Sequence, residues 1–272
     1  MARAMTPRVE QFFFAPANGR SVAALRIGLA GIAAYVFYPY DRGTLATLIQ
    51  SPWVSQFYRD VIQTQSYWVL AMAALAAFAA GLWSRPAGVL AALLLAPYVP
   101  MRGGMLGRYL LWFALAALSL LHSDRRWALR DLIGFPQQSE VGPVWPIRLI
   151  QFQLSTLYLV NAIAKSTSDY LSGGVLAAMS ARLPNFQLQF TDGLFTLAGV
   201  SIPLWMAASA TVAIEYSLAV SFWFPRLRWP TAALGAVFHA GLAWVVTIAA
   251  LDIASLSLYA AFLLPVRSPR ED

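Results

Sequence analysis

Of the 272 residues, 59% are hydrophobic and only 11% charged, so most of the length faces something other than water. The absence of cysteine and the presence of only two histidines exclude disulfides, thiolate catalysis, the common zinc-ligand patterns and a histidine-rich metal centre. The net charge of +7 rests on arginines scattered through the loops without forming a stripe, which fits membrane orientation and not nucleic acid.

The first apolar stretch begins near Ser21, carries Arg26 and has no small-residue cleavage site, so a retained first span is expected, not a signal peptide. A span needs about 20 predominantly apolar residues. The runs are 21–40, 67–84, 86–101, 107–122, 148–165, 203–224, 229–249 and 252–266. They predict an all-α integral membrane protein: a bundle of about eight transmembrane helices, forming a single domain over 1–272 with no separate soluble domain. Runs 86–101 and 252–266 are short, which calls for tilted pairs, re-entrant segments or a locally thinned bilayer. With the N-terminus in the cytoplasm, twelve arginines fall inside: Arg3, Arg8, Arg20, Arg85, Arg125, Arg126, Arg130, Arg148, Arg226, Arg228, Arg267 and Arg270. Five fall outside: Arg42, Arg59, Arg102, Arg108 and Arg182. This asymmetry places both termini in the cytoplasm. The alanine- and arginine-rich composition, almost without lysine, points to a GC-rich bacterial genome and a bacterial cytoplasmic membrane.

Of the longer connections, the inner stretch 123–147 contains RRWALRDLIGF, where Trp127, Leu129, Leu132 and Ile133 offer an interfacial face on a short helix; the alternative is an ordinary helical linker. The outer stretch 166–202 is apolar but broken by Gly173, Gly174, Pro184 and Asp192, and reads as short helices lying in or dipping into the outer leaflet.

The fifth run, RLIQFQLSTLYLVNAIAK, ends in Lys165, the only lysine beside 18 arginines. An ionisable group in a span is a functional-site hypothesis. A desolvated amine can lose its proton near neutral pH and serve as a base, which a guanidinium cannot. The alternative is a lysine whose stem snorkels to the interface. At about 100° per residue, Gln151, Ser155, Tyr158, Asn161 and Lys165 share one face, while Gln153 points the other way. Such a face turns into the bundle or a cavity, or joins helices through hydrogen bonds. At about 1.5 Å per residue, Lys165 lies about 25 Å above the inner end, with Arg108, Arg102 and Asp252 at the same outer level. Glu215 and His239 both fall at about 15 Å. This predicts a Glu215–His239 hydrogen bond near the midplane and, for Lys165, an ion pair with Asp252 or Asp169 that would keep it charged.

The segment IQFQLSTLYLVNAIAKSTSDYLSGG resembles the HTTM (horizontally transferred transmembrane) domain family, and with it the membrane part of vitamin K-dependent gamma-glutamyl carboxylase. The family's glutamine, tyrosine, lysine seven residues later, aromatic and glycine look like Gln153, Tyr158, Lys165, Tyr170 and Gly173. The resemblance continues through Glu215, the pair Phe238 and His239, Arg26 in the first span, and the turn PMRGGMLGRYLLWF. It implies that Lys165 matches the carboxylase's active-site lysine, acting as base toward a reduced vitamin K-like hydroquinone. In that enzyme, reaction of the hydroquinone with oxygen yields a base strong enough to take a proton from a glutamate γ-carbon.

Two departures accompany the match. The carboxylase has a histidine in the stretch corresponding to PMRGGMLGRY, whereas none stands here between residues 1 and 121. It also has a large soluble domain that binds its protein substrate, and no such domain is expected in this chain. The expectation is a carboxylase-like, lyase- or epoxidase-type membrane protein. Lys165 and His239 are its catalytic candidates, with Gln151, Gln153, Tyr158, Asn161, Glu215 and Arg108 around a quinone and no metal. A peptide or protein substrate, or a membrane partner, would meet it at the outer loops. The alternatives are a non-catalytic membrane subunit or maturation factor for a partner protein, and a proton-coupled transporter built on Lys165, Glu215 and His239. No internal repeat, the usual mark of a transporter, is visible.

Overall fold

In the computed structural model the described residues are 7–37, 60–61, 64–99, 105–134, 136, 140–182, 194–197, 200–245 and 249–264. Arg3, Arg42, Arg59, Arg102, Arg267 and Arg270, together with the part of the outer stretch at 183–193, lie outside them. The elements run α1 Pro7–Phe14, β1 Pro16–Asn18, α2 Gly19–Phe37, α3 Gln65–Ala79, α4 Ser84–Leu95, α5 Met105–Ser119, β2 Glu140–Pro143 and α6 Trp145–Lys165. They continue with α7 Ser168–Leu171, α8 Gly174–Arg182, β3 Leu194–Leu197, β4 Val200–Pro203, α9 Leu204–Ser221, α10 Arg228–Val245, α11 Ala249–Leu258 and α12 Ala260–Leu263. The described chain is therefore mostly helical, and each of the eight apolar runs carries a helix. Two of these, Gly19–Phe37 and Leu204–Ser221, are long and apolar enough to cross a membrane; Gln65–Ala79, Leu106–Ser119 and Leu251–Leu263 are shorter apolar stretches.

The chain divides into two compact units. The first comprises Met1–Gln151 and Ile253–Asp272. In it α2 packs on α3 and α5, and α4 on both of those. Asn18 caps α2, its side-chain oxygen accepting from the backbone N–H groups of Arg20 and Ser21 at 3.1 Å each. Strand β1 pairs antiparallel with β2, Ala17 opposite Val141, and the Val144 N–H donates to the Ala15 carbonyl at 2.9 Å. The N-terminal ends of α2 and α6 are thereby tied together.

Arg26 is fully buried in α2. Its guanidinium donates to the carbonyls of Ala79 (3.2 Å), Ser123, Arg126 (3.4 Å) and Trp127 (2.5 Å). A cation inside an apolar helix is thus solvated by backbone oxygens of two turns, which it binds to one another. Gly81, at φ +72°, makes the closest approach there: a Cβ would stand 2.4 Å from the Cβ of Ala128.

Two sequence expectations change at this level. RRWALRDLIGF does not form an α-helix; it makes two 3₁₀ turns, Ser123–Arg125 and Leu129–Ile133. Between them Trp127 adopts φ +48°, so the periodicity on which the amphipathic face depended is broken. Trp127, Leu129 and Leu132 are exposed. The outer stretch does contain the short helices α7 and α8, but it ends in a hairpin with Leu194 opposite Pro203 and Leu197 opposite Val200. Thr196, Val200 and Ile202 are β-branched, which favours strand over helix in so short a segment.

The second unit is Phe152–Asp252. Within it α9 packs on α7, α8 and α10. A small core of Tyr170, Ala208 and Val212 is closed by Leu171, Val175 and Leu176.

Candidate functional site

The polar groups of the second unit are set by helix phase on α6. Tyr158 and Lys165 are seven residues apart, close to two turns, so they project from one face. The helix ends at Lys165 because the chain turns sharply. The Ser166 hydroxyl donates to the Ala162 carbonyl at 2.7 Å, and the Thr167 side chain caps α7 by accepting from the Tyr170 N–H at 3.3 Å. Gly173 completes the turn at φ +87°, where a Cβ would stand 2.5 Å from that of Leu204. The turn therefore lies directly against the start of α9.

That approach brings α9 to Lys165. Its ammonium donates to Oε1 of Glu215 at 2.5 Å, a charge-assisted bond. The pair is unequal: the lysine side chain is 31% exposed and the glutamate 4%. The ammonium also lies 5.9 Å from the centre of the Tyr170 ring, within cation–π range. Burial, with the Glu215 charge second, pushes the Tyr170 phenol up to about 12, and a hydrogen bond with Thr211 offsets part of this. The ring thus stays a neutral phenol beside the pair. The second oxygen of Glu215, Oε2, is buried with no hydrogen-bond partner among the described residues.

A second cluster lies further down the same face of α6. The Tyr158 hydroxyl is 2.7 Å from Nε2 of His239 on α10, and Nδ1 of that ring is 2.7 Å from Oδ1 of Asp252 on α11. All three residues are buried. Below them the Trp223 indole N–H donates to the Ser155 hydroxyl at 2.9 Å, and its ring packs on Phe152.

The pairings differ from those predicted by counting depth along straight helices. Glu215 takes Lys165 as its hydrogen-bond partner, and Asp252 takes His239. Asp169 is exposed in the turn of α7. The reason lies in side-chain direction. Helical side chains lean toward their own N-terminus, so Lys165 leans toward the start of α6 and Glu215 toward the start of α9. Their long stems close the gap of about 10 Å between the two expected levels.

The remaining candidates separate. Gln151 belongs to the first unit, where it is fully engaged: Arg148 donates to its Oε1 at 2.7 Å and its amide donates to the Ala261 carbonyl at 2.6 Å. Arg108 is buried in α5, also in the first unit. Asn161 lies half-buried between Tyr158 and Lys165 in sequence, and Gln153 is half-buried with its Oε1 enclosed and unpartnered among the described residues. No group of three or more His, Asp or Glu residues able to hold a metal ion occurs among the described residues.

What the arrangement offers chemically is two proton-holding groups, Lys165–Glu215 and Tyr158–His239–Asp252, whose Lys165 and Tyr158 share one face of α6. Neither a curated protein nor a solved structure matches the chain. The family model described as HTTM domain matches residues 107–265, more than half of the length. The match encloses both groups and every candidate site residue. The chain belongs to the HTTM family of membrane proteins, related to the carboxylase family.

Proposed function

We propose that this protein is a carboxylase-like membrane enzyme in which the Lys165–Glu215 pair takes a proton from a reduced quinone or a comparable hydroxylic ligand. The observation that carries the reading is the pair itself: the only lysine of the chain, partly exposed, bonded at 2.5 Å to a buried carboxylate. Lys165 acts as a base when the proton shared in this bond moves from Nζ to Oε1 of Glu215. The N–H bond breaks, an O–H bond forms, and a neutral amine faces the ligand. The amine then accepts the ligand's hydroxyl proton, shielded from water by the surrounding apolar helices. Buried acceptor oxygens without a donor among the described residues, Glu215 Oε2 and Asp252 Oδ2, suit a ligand that brings hydroxyl donors of its own. A bound hydroquinone would supply, on reaction with oxygen, a base strong enough for a carbon acid.

The reading includes a multi-pass arrangement of eight spans in a bacterial cytoplasmic membrane, with both termini inside. The β1–β2 pairing is in keeping with this arrangement, because it joins the starts of α2 and α6, the first and fifth runs, which must begin on the same side.

The experiment is mass spectrometry of quinone species after reconstituted protein receives a reduced naphthoquinone and oxygen, with Lys165→Ala in parallel. Epoxide is expected from the native chain, and at least a hundredfold less from the variant. Equal product from both, or none from either while both bind ligand, would remove the enzymatic reading and favour a non-catalytic membrane subunit.

A further inference from the structure

His239 is held at both ring nitrogens, and for a neutral ring the chemistry of its partners gives both hydrogen bonds a direction. Asp252 offers only acceptors when ionised, so Nδ1 carries the ring proton and donates to Oδ1 at 2.7 Å. The other nitrogen of a neutral imidazole is then an acceptor, and the Tyr158 hydroxyl donates to Nε2 at 2.7 Å. The three groups come from α6, α10 and α11, and all are buried. This is more order than helix packing requires, since a single hydrogen bond would hold two helices.

Among the described residues the charged and titratable groups near the ring include Tyr158, Asp252 and Glu215, the last within electrostatic reach of His239. A positive ring would therefore have a carboxylate on each of two neighbouring helices. Tyr158 in turn shares the face of α6 that carries Lys165, and the lysine stem leans back toward it.

We infer that Tyr158, His239 and Asp252 form a proton relay whose outlet is the Tyr158 hydroxyl, with Asp252 as the positioning residue that fixes the His239 tautomer. Its ligand is a weakly acidic hydroxyl, of the phenol or hydroquinone class. In the relay the ligand O–H bond breaks as the Tyr158 oxygen takes that proton, and the Tyr158 O–H bond breaks as Nε2 takes the other. One proton has then moved from the ligand to Nε2, with no electrons transferred and no co-reactant consumed. The resulting imidazolium rests on Asp252 Oδ1. That the ligand is the one served by Lys165 rests on the function proposed above; the direction of the relay does not.

With two histidines in the chain, His122→Gln leaves one imidazole to observe. Nitrogen-15 histidine spectra in bilayers are expected to show a protonated Nδ1 and an acceptor Nε2. Asp252→Ala should exchange the two signals, and Asp252→Glu should restore them. Tyr158→Phe keeps Nδ1 protonated but shifts Nε2, which gives a reading should Asp252→Ala fail to fold. A native ring protonated on Nε2, or signals unchanged in both variants, would overturn the relay. Anaerobic addition of a prenylated naphthohydroquinone should convert the ring to imidazolium, and this conversion should be lost in Tyr158→Phe. If it occurs while epoxide formation proves independent of Lys165, the relay stands and the proposed role of Lys165 falls. If epoxide formation requires Lys165 while the ring stays neutral with the hydroquinone bound, the relay falls and that role stands.

Discussion

Removing the Lys165 ammonium leaves the Glu215 carboxylate buried opposite nothing, whereas removing both leaves two apolar stems in contact. Lys165→Met is therefore expected to cost on the order of 3 kcal/mol, and Lys165→Met with Glu215→Leu to recover most of it. Thermal unfolding in detergent checks this; a double variant no more stable than the single one would show that the pair is not what the site depends on. Lys165, Glu215 and His239 were legible in the sequence because an ionisable side chain in an apolar run is conspicuous. Their partners were not. A linear count of depth treats each residue as a point on an axis, and carries no information on which way a stem leans or which helices are neighbours. Asp252 shows the limit most clearly: it was placed at the level of Lys165, yet it is bonded to a histidine 13 positions earlier in the chain.

At the scale of elements, the turn that follows α6 and lies against the start of α9 positions the pair, and Gly173 is its tightest point. A side chain at φ +87° is strained, and its Cβ would overlap that of Leu204. Gly173→Ala should lower stability by roughly 1–3 kcal/mol and loosen the Lys165–Glu215 bond with it. Gly31→Ala in α2, where a Cβ meets nothing within 4 Å, should leave the midpoint unchanged or slightly raised. Comparing the two melting temperatures separates a local clash from a general intolerance of larger residues. The helices of the apolar runs were legible, since each run carries one, whereas α1, Pro7–Phe14, precedes the first run and was not. The hairpin and the 3₁₀ turns were not, because segments of three to five residues hold too few periods for a pattern to be read. Trp127, at φ +48°, presents its carbonyl to Arg26, a partner 101 positions away in sequence that no local pattern reveals.

For the whole molecule, the absence of cysteine makes sidedness simple to test. Ser168→Cys, in α7, should react with a membrane-impermeant maleimide added to intact cells. Arg226→Cys, in the turn after α9, should react only after the membrane is opened. The reverse pattern would invert the orientation assigned from the arginines. During synthesis the two units emerge interleaved. The first unit is completed only by residues from 253 onward, and the segment 152–252 emerges before they do. The amide of Gln151 finds its acceptor on Ala261, 110 positions later. Contacts so distant in sequence form late, after the local ones. The Lys165–Glu215 pair, both of whose residues precede 253, can therefore close while the first unit still lacks its last residues, whereas the His239–Asp252 bond waits for α11 and so forms later than the pair.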